Sequence, residues 1–196
     1  MSENIIGYMK ADGEILDTQS AGDSCEGCRE ITYDNSPEAL EIIRHSTAHL
    51  MAQAIRELYP DAQFFVGPVV DEGFYYDFRT SEKIGEEDLK TIEKKMKELV
   101  KKKIPIEKYE ISKNEAVEKF KNDDLKQAVL KNIPSETVSI YRQGDFEDLC
   151  RGPHVPNTRY LHNFKLTRIA GAYLGGDENA EMLTRISISE IGRAHV

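Results

Sequence analysis

The spacing of apolar residues along the chain predicts two long helices. Apolar positions recur at helical intervals from Pro37 to about Leu58, after a Ser36 that can cap the helix and before Pro60, which ends it. A second amphipathic pattern covers residues 86–103. Its apolar stripe consists of Leu89, Ile92, Met96, Leu99 and Val100.

Shorter patterns predict strands and two further helices. The capping-box sequence Ser112 to Glu115 opens a short helix that reaches Phe120, and another short helix is expected at residues 124–132. Strands are predicted at residues 63–67, 74–78, 106–111, 137–143, 164–169 and 182–188, with a turn at residues 71–73. Helices mixed with antiparallel-looking strands, without regular βαβ alternation, predict an α+β fold in which an antiparallel sheet packs with a long helix and several shorter helices.

The first 35 residues carry only short strand, turn and loop signals and are interpreted as a short N-terminal appendage. Ile5, Ile6 and Tyr8 predict a strand, Asp12-Gly13 a turn, and residues 14–16 a returning strand. Residues 20–28 resemble a loop. The Cys25-x-x-Cys28 pair in that loop stands alone, so two free thiols are expected in preference to a zinc half-site or a redox pair.

Composition narrows the class of protein. With 196 residues, 39% hydrophobic and 31% charged, the chain suits one globular domain with a small appendage. No run of 18 apolar residues predicts a membrane span, and no basic flank with an apolar stretch predicts a signal peptide. Three cysteines are too few for a disulfide scaffold, which favours the cytosol.

Charge restricts how the chain could contact nucleic acid. A net charge of −9 argues against a protein that simply coats RNA, so an RNA partner would need a local basic face. Residues 151–168 hold four Arg or Lys residues and no acid, which makes them the best candidate strip, with an incidental basic surface as the alternative. The seven lysines of residues 86–103 indicate a solvated helix surface, and an RNA contact there is the weaker interpretation.

Two sequence-separated pairs of residues could carry chemistry. His45 and His49 are four apart and share one helix face, as two surface histidines or as the wall of a cleft. Cys150 and His154 flank a Gly-Pro turn that lets their side chains converge from a loop. Together the four residues suit either a tetrahedral zinc site or a polar cluster that orients water for hydrolysis. His162 is expected to be a packed or surface residue.

Four motifs resemble the editing domain of bacterial threonyl-tRNA synthetases. They are His45-Ser-Thr-Ala-His49, Gly67-Pro-Val-Val-Asp-Glu-Gly-Phe-Tyr-Tyr-Asp77, Cys150-Arg-Gly-Pro-His-Val-Pro156, and Gly171-Ala-Tyr-Leu-Gly-Gly-Asp177 followed by Met182-Leu-Thr-Arg185. The resemblance covers residues 36–186. Alanyl-tRNA editing domains share the HxxxH and CxxxH skeleton but resemble this chain less closely.

The resemblance implies hydrolysis of serine from mischarged Ser-tRNA(Thr) by a cytoplasmic enzyme. Serine and threonine differ by one methyl group, which a binding pocket discriminates by only about 1–3 kcal/mol, so a hydrolytic second site is needed. The implied catalytic residues are His45, His49, Lys126, Asp148, Cys150 and His154, and Tyr76 is the implied substrate contact. Lys126 rests on alignment alone, and an ordinary solvated helix lysine is the alternative.

The resemblance also implies what the chain lacks. Editing is expected to need no cofactor, while ATP with magnesium, the zinc of the family and the homodimer interface belong to a synthetase core that is absent from these residues. Zinc at the His/His/Cys/His cluster is a minority interpretation. After residue 186 the sequence departs from the family pattern, so 187–196 are interpreted as a non-native tail, with 190–196, including His195, as translated adapter DNA.

Two other functions compete with an editing domain that belongs to a larger synthetase. One is a free-standing deacylase that acts in trans on charged tRNA. The other is a non-catalytic zinc-binding module.

Overall fold

A computed structural model describes residues 4–21, 25–33, 36–70 and 73–189. The helices are α1 (Thr18–Ala21), α2 (Pro37–Leu58), α3 (Leu89–Lys101), α4 (Lys113–Lys119) and α5 (Asp124–Lys131). The strands are β1 (Ile5–Met9), β2 (Ile15–Leu16), β3 (Arg29–Thr32), β4 (Gln63–Phe64), β5 (Val69–Val70), β6 (Gly73–Arg79), β7 (Ile106–Ser112), β8 (Thr137–Gln143), β9 (Phe146–Leu149), β10 (Lys165–Tyr173) and β11 (Met182–Ser189). Asp71 and Glu72 of the predicted turn, and residues 190–196 of the predicted tail, lie outside the described residues.

Helix α2 forms the centre of the domain. Ser36 caps it by accepting a hydrogen bond from the Ala39 amide, and Pro37 occupies its first turn, as predicted. The sequence predicted one apolar side, but from Ile42 to Ile55 nearly every side chain is buried. The histidine-bearing face is therefore covered by protein as well, because sheets and loops pack around the whole helix.

The largest sheet lies against α2 and α3. Its strands follow the order β10-β11-β6-β4, with β5 also paired to β6, and all the pairs are antiparallel. Phe74, Phe78 and Ile186 from this sheet join α2 and α3 in one hydrophobic core. Residues 187–189, assigned above to the tail, continue β11 and pair with β6. The described architecture confirms the α+β class.

A second antiparallel sheet supports the loop that carries Cys150 and His154. Strands β7, β8 and β9 pair in that order, and β9, which the sequence did not predict, ends at Leu149. Helices α4 and α5 cover this sheet through a small apolar cluster of Ala116, Leu130 and Val138. Helix α4 begins with the predicted capping box, in which Ser112 and Glu115 bond each other's backbone amides.

The N-terminal segment folds as a third sheet, in the order β2-β1-β3, with β3 unpredicted. Its Ile6 and Ile31 are buried in the same core as α2, so the segment contributes to the main domain packing. Ser20 and Ala21, expected in a loop, lie in α1. The expectation of two free thiols is wrong, because Cys25 and Cys28 form a disulfide.

None of the helices within the described ranges combines the length and apolarity that crossing a membrane requires.

Candidate active site

The fold brings His45, His49, Cys150 and His154 into one cluster, with their ligand-capable atoms all within 4.8 Å of one another. The Cys150 Sγ lies 3.1 Å from His45 Nε2 and 3.2 Å from His154 Nε2. The ring centroids of His45 and His49 lie 4.4 Å and 4.3 Å from that of His154. The sequence predicted these two pairs separately, and the structure joins them.

Helical spacing and burial together orient the two α2 histidines. One turn separates them, and their rings meet edge to face at 5.5 Å. His49 is 5% exposed and His45 is partly buried, so the alternative of two surface histidines is wrong. Their face of α2 packs against the Cys150 loop, which closes over it.

Gly152 shapes the loop that returns His154 to the helix. Its φ of 79° lies in the left-handed region, and a Cβ at this position would clash with the hydroxyl of Tyr141. The following peptide, Gly152–Pro153, is cis. The Tyr141 ring contacts the His154 ring at a tilt of 58°, with the centroids 4.4 Å apart, and its hydroxyl donates a hydrogen bond to Asp17 of the N-terminal segment. The loop, the ring and the N-terminal segment therefore support one another.

Ser46 determines the tautomer of His154. The Ser46 hydroxyl donates to the Ile42 carbonyl at 2.7 Å and accepts from the Val155 amide at 3.0 Å. With that hydrogen directed at the Ile42 carbonyl, His154 Nδ1, at 3.2 Å, is assigned as the donor to Ser46 Oγ. His154 Nε2 then carries a lone pair directed at the Cys150 thiol.

A buried ion pair adjoins the cluster. Lys126 Nζ lies 2.5 Å from Asp148 Oδ1, and the two residues are 3% and 1% exposed. The Tyr76 hydroxyl donates to Asp148 Oδ2 at 2.5 Å, and the Leu149 amide donates to Oδ1 at 2.8 Å. The alternative of a solvated helix lysine at position 126 is therefore wrong. Asp123 caps α5 and fixes the helix that presents Lys126.

Burial determines the protonation states in the cluster. It lowers the pKa of His45 to about 4 and that of His49 to about 3, and it holds the pKa of His154 well below its ordinary value. Burial also raises the pKa of the Cys150 thiol to about 12. For Asp148, burial favours the neutral acid, but Lys126 and His49 outweigh it and lower the pKa. At neutral pH the site thus holds neutral imidazoles, a protonated thiol and a charged carboxylate.

One cavity reaches the Asp148–Lys126 pair and another reaches Cys150. One, of about 520 Å³, includes Lys126 and Asp148 in its wall together with Arg56 and Asp123. The other, of about 400 Å³, is lined by Cys150, Arg151 and the apolar side chains of Val129, Ile133 and Leu149. A small ligand therefore has space on the Asp148 side and on the Cys150 side of the site.

The other residues that the sequence singled out lie outside the cluster. His162 is exposed and contacts the Tyr33 hydroxyl and the Arg159 carbonyl, as expected for a surface residue. Sequence reasoning missed Ser46 and Tyr141, which orient His154. Ser46 lies inside the HxxxH motif, whereas nothing in the local sequence identifies Tyr141.

Comparisons with known proteins point to one class of protein. Residues 138–187 match the threonyl and alanyl tRNA synthetase second additional domain. These residues include Asp148, Cys150 and His154 of the site just described. The fold and the site thus define an accessory domain of an aminoacyl-tRNA synthetase.

The full sequence narrows this class to one family. The chain is 81% identical over 186 residues to the threonine–tRNA ligase of Sulfurovum sp., a match that covers 95% of this chain and 31% of that protein. It is 66% identical over 187 residues to the ligase of a Campylobacter jejuni strain and 64% identical over 187 residues to that of Nautilia profundicola, with 95% of this chain and 30% of each relative covered. The chain belongs to the threonine–tRNA ligase family and spans about a third of the length of the relatives it matches.

Replacing Gly152 tests the loop geometry. We expect Gly152→Ala to lower the free energy of unfolding by about 2–4 kcal/mol, because the left-handed backbone and the Tyr141 clash act together. Gly13→Ala is the matched control, since Gly13 has a φ of 88° but an open space for a Cβ, and should cost about 1 kcal/mol. Urea unfolding measures both, and equal costs would contradict a clash at Gly152.

Burial of His49 predicts a specific pH dependence. Its pKa falls from an ordinary value of 6.5 to about 3 on folding, so the unfolded chain binds the proton more tightly. This contribution to the unfolding free energy is complete above pH 6.5 and is lost as the pH falls toward 3. At pH 5 the loss is about 2 kcal/mol. Between pH 7.5 and 5 in metal-free buffer, the unfolding free energy of the parent protein should therefore fall by about 2 kcal/mol more than that of His49→Asn. Parallel pH profiles would rule out a buried neutral His49.

Proposed function

We propose that this chain is an editing domain that hydrolyses serine from mischarged tRNA(Thr). The observation that carries the proposal is the convergence of His45, His49, Cys150 and His154 beside the buried Asp148–Lys126 pair. These residues supply proton acceptors, a fixed negative charge and a cation within one site. Hydrolysis of an aminoacyl ester requires groups of these kinds.

The protonation states favour direct attack by water. A thiol whose pKa is raised to about 12 is protonated at neutral pH, so Cys150 is a poor nucleophile and a thioester intermediate is disfavoured. The neutral ring nitrogens near it accept hydrogen bonds from a water molecule and orient its lone pair toward the ester carbon. Because the pKa values of His45 and His49 are lowered to about 4 and 3, the rings orient the water without holding its proton. As the water oxygen bonds to the ester carbon, the bond to the ribose oxygen breaks and that oxygen takes up the proton.

Asp148 and Lys126 suit the two charges of the reaction. The Asp148 carboxylate attracts the ammonium group of the serine ester, and Tyr76 and the Leu149 amide hold its oxygens in place. Lys126 places a positive charge beside the same carboxylate, where it stabilises the negative charge that develops on the ester carbonyl oxygen. Tyr76 thereby positions the substrate contact, and Lys126 stabilises the transition state.

The wider roles follow from the family and remain proposals. We infer that the complete protein attaches threonine to tRNA(Thr) with ATP, in the cytoplasm, and that dimerisation and the family's zinc belong to its aminoacylation core. The match to threonine–tRNA ligases over nearly the whole chain supports a part of such a ligase over a free-standing deacylase.

Deacylation of the two charged tRNAs tests the proposal. The chain should release serine from Ser-tRNA(Thr) well above the buffer rate and leave Thr-tRNA(Thr) largely intact. His49→Ala and Cys150→Ala should reduce serine release by at least about a hundredfold with cooperative unfolding retained, because these side chains line the site. Serine loss at the buffer rate with the parent protein would contradict the proposal.

Two variants distinguish the role of the ion pair in catalysis from its role in stability. Asp148→Asn leaves the Lys126 charge buried and unpaired, so it should cost about 3–5 kcal/mol. The double variant Asp148→Asn with Lys126→Met removes both charges and should recover most of that loss, while serine release stays at least about a hundredfold slow. If the double variant regained the parent rate, the pair would have only a structural role.

A zinc module is a second candidate, because the donor set fits the metal. Three imidazoles and one thiol lie close together, and the two S···N distances of 3.1 and 3.2 Å would lengthen to about 3.6 Å around a tetrahedral zinc ion. Zinc would hold the thiol as thiolate and would supply Lewis acidity at this position. His45, His49, Cys150 and His154 would hold the ion.

Metal analysis decides between the two candidates. A zinc module should retain about one zinc per chain after dialysis against a weak chelator, and Cys150→Ser should lose the metal and lower the melting temperature. His162→Asn is the control, since His162 is outside the cluster, and should retain the metal. Serine release that survives complete removal of zinc would exclude the metal-dependent interpretation.

A further inference from the structure

We propose that the exposed face of α3, together with Lys165 of β10, binds the phosphate backbone of an RNA duplex. This surface, which we call the lysine surface, comprises Lys90, Lys94, Lys97, Lys101 and Lys165. The inference rests on the proposed function for the identity of its partner, a tRNA. It adds the place on the domain where that partner is held.

The four α3 lysines form one row. Their spacings of four, three and four residues place them within about 60° around the helix, at 100° per residue. All four are exposed, whereas the buried stripe of Ile92, Met96 and Leu99 lies on the opposite side. At 1.5 Å per residue the row is about 16 Å long, which is long enough to contact several phosphates of one strand.

The four lysines of α3 have no acidic partner among the described residues. Three other exposed cations are paired with acids, Lys10 with Glu14, Lys121 with Glu118 and Arg142 with Glu107, and these serve below as controls. Like charges one helical turn apart repel each other. A row of four unpaired lysines in a chain with a net charge of −9 therefore concentrates positive charge that a row of phosphates would neutralise.

Lys165 extends the row onto the neighbouring strand. Its Nζ lies 3.1 Å from Glu93 Oε1, and its side chain remains 65% exposed. Glu93 is buried on the edge of α3 next to the lysine row and also accepts a hydrogen bond from the Leu166 amide at 2.8 Å. The fold thus joins two basic segments that are separate in sequence, one of them within the strip predicted to face RNA.

The surroundings favour RNA over an acidic protein as the occupant. A protein interface needs an apolar core, but among the described residues the large exposed hydrophobic ones are Val66, Val117, Tyr173 and Met182, none of which lies on α3. Lysine is a point charge that contacts phosphates without reading sequence. Acids bound the surface: Glu86, Glu87 and Asp88 precede α3, and Glu98 pairs with Lys95 on its other flank.

RNA binding by matched variants tests the inference. The test variant is Lys94→Gln, Lys97→Gln and Lys101→Gln in the full chain, and the control is Lys10→Gln, Lys121→Gln and Arg142→Gln, which changes the net charge equally at acid-paired positions. The probe is an uncharged tRNA(Thr) transcript, with binding measured by fluorescence anisotropy from 25 to 200 mM salt. A serine ester of adenosine, which has no RNA duplex to contact the lysine surface, measures hydrolysis in the same proteins.

The expected result is specific to the test variant. Its tRNA affinity should fall at least about tenfold, and the slope of log K against log salt should weaken by about 2–3, as for the loss of three phosphate contacts. The control should bind like the parent protein, and all three should hydrolyse the small ester equally, if they hydrolyse it at all. Failure of ester hydrolysis in the parent would contradict the proposed function alone.

Three results would overturn the inference. The first is unchanged tRNA affinity in the test variant, and the second is an equal loss in the control, which would indicate a general charge effect. The third is binding of polyglutamate as tight as that of tRNA, which would identify an acidic protein as the fitting partner.

Discussion

The packing of α2 against the Cys150–His154 loop is the contact on which the site depends. Two histidines one turn apart on a helix would ordinarily face water. Here the loop covers them and excludes water. Burial then keeps the three imidazoles and the thiol of the cluster uncharged at neutral pH. Ser46 joins the two elements, because its hydroxyl bonds the helix carbonyl of Ile42 and the loop residues His154 and Val155 at once.

The Asp148–Lys126 pair adds two buried, opposite charges beside this neutral cluster. Burying either ion alone would be costly, so each requires the other. Because Asp148 is on β9 and Lys126 is on α5, the pair also fixes the short helices against the second sheet. The same electrostatic constraint thus serves the fold and keeps a charge next to the site.

Regular local signals made most of the fold predictable. The cap and proline at the start of α2, the capping box of α4 and the alternation in β8 each depend on neighbours in sequence, and the predicted bounds agree closely with the structure. Strand β9 was missed because Phe146–Leu149 is short and half acidic, so its hydrophobic signal is weak. The disulfide was missed because two nearby cysteines carry no information about their pairing.

The site residues were predictable as a set only through their resemblance to a family, because chemistry from distant segments meets by tertiary packing. Spacing alone placed His45 with His49 and Cys150 with His154. Nothing local identified Lys126, whose burial results from the packing of α5 against β4 and from its ion pair with Asp148 of β9. Its assignment as a catalytic residue remains a prediction, as do the domain boundaries.

The N-terminal segment supports the site as well as the core. Asp17 accepts the hydrogen bond of Tyr141, whose ring lies on His154 and whose hydroxyl faces Gly152. Trimming the chain to start at α2 would leave that phenol without its acceptor and would remove Ile6 and Ile31 from the core. A shortened version of this protein would retain every residue of the cluster. It would nevertheless lose the hydrogen bond that holds Tyr141 against the imidazole of His154.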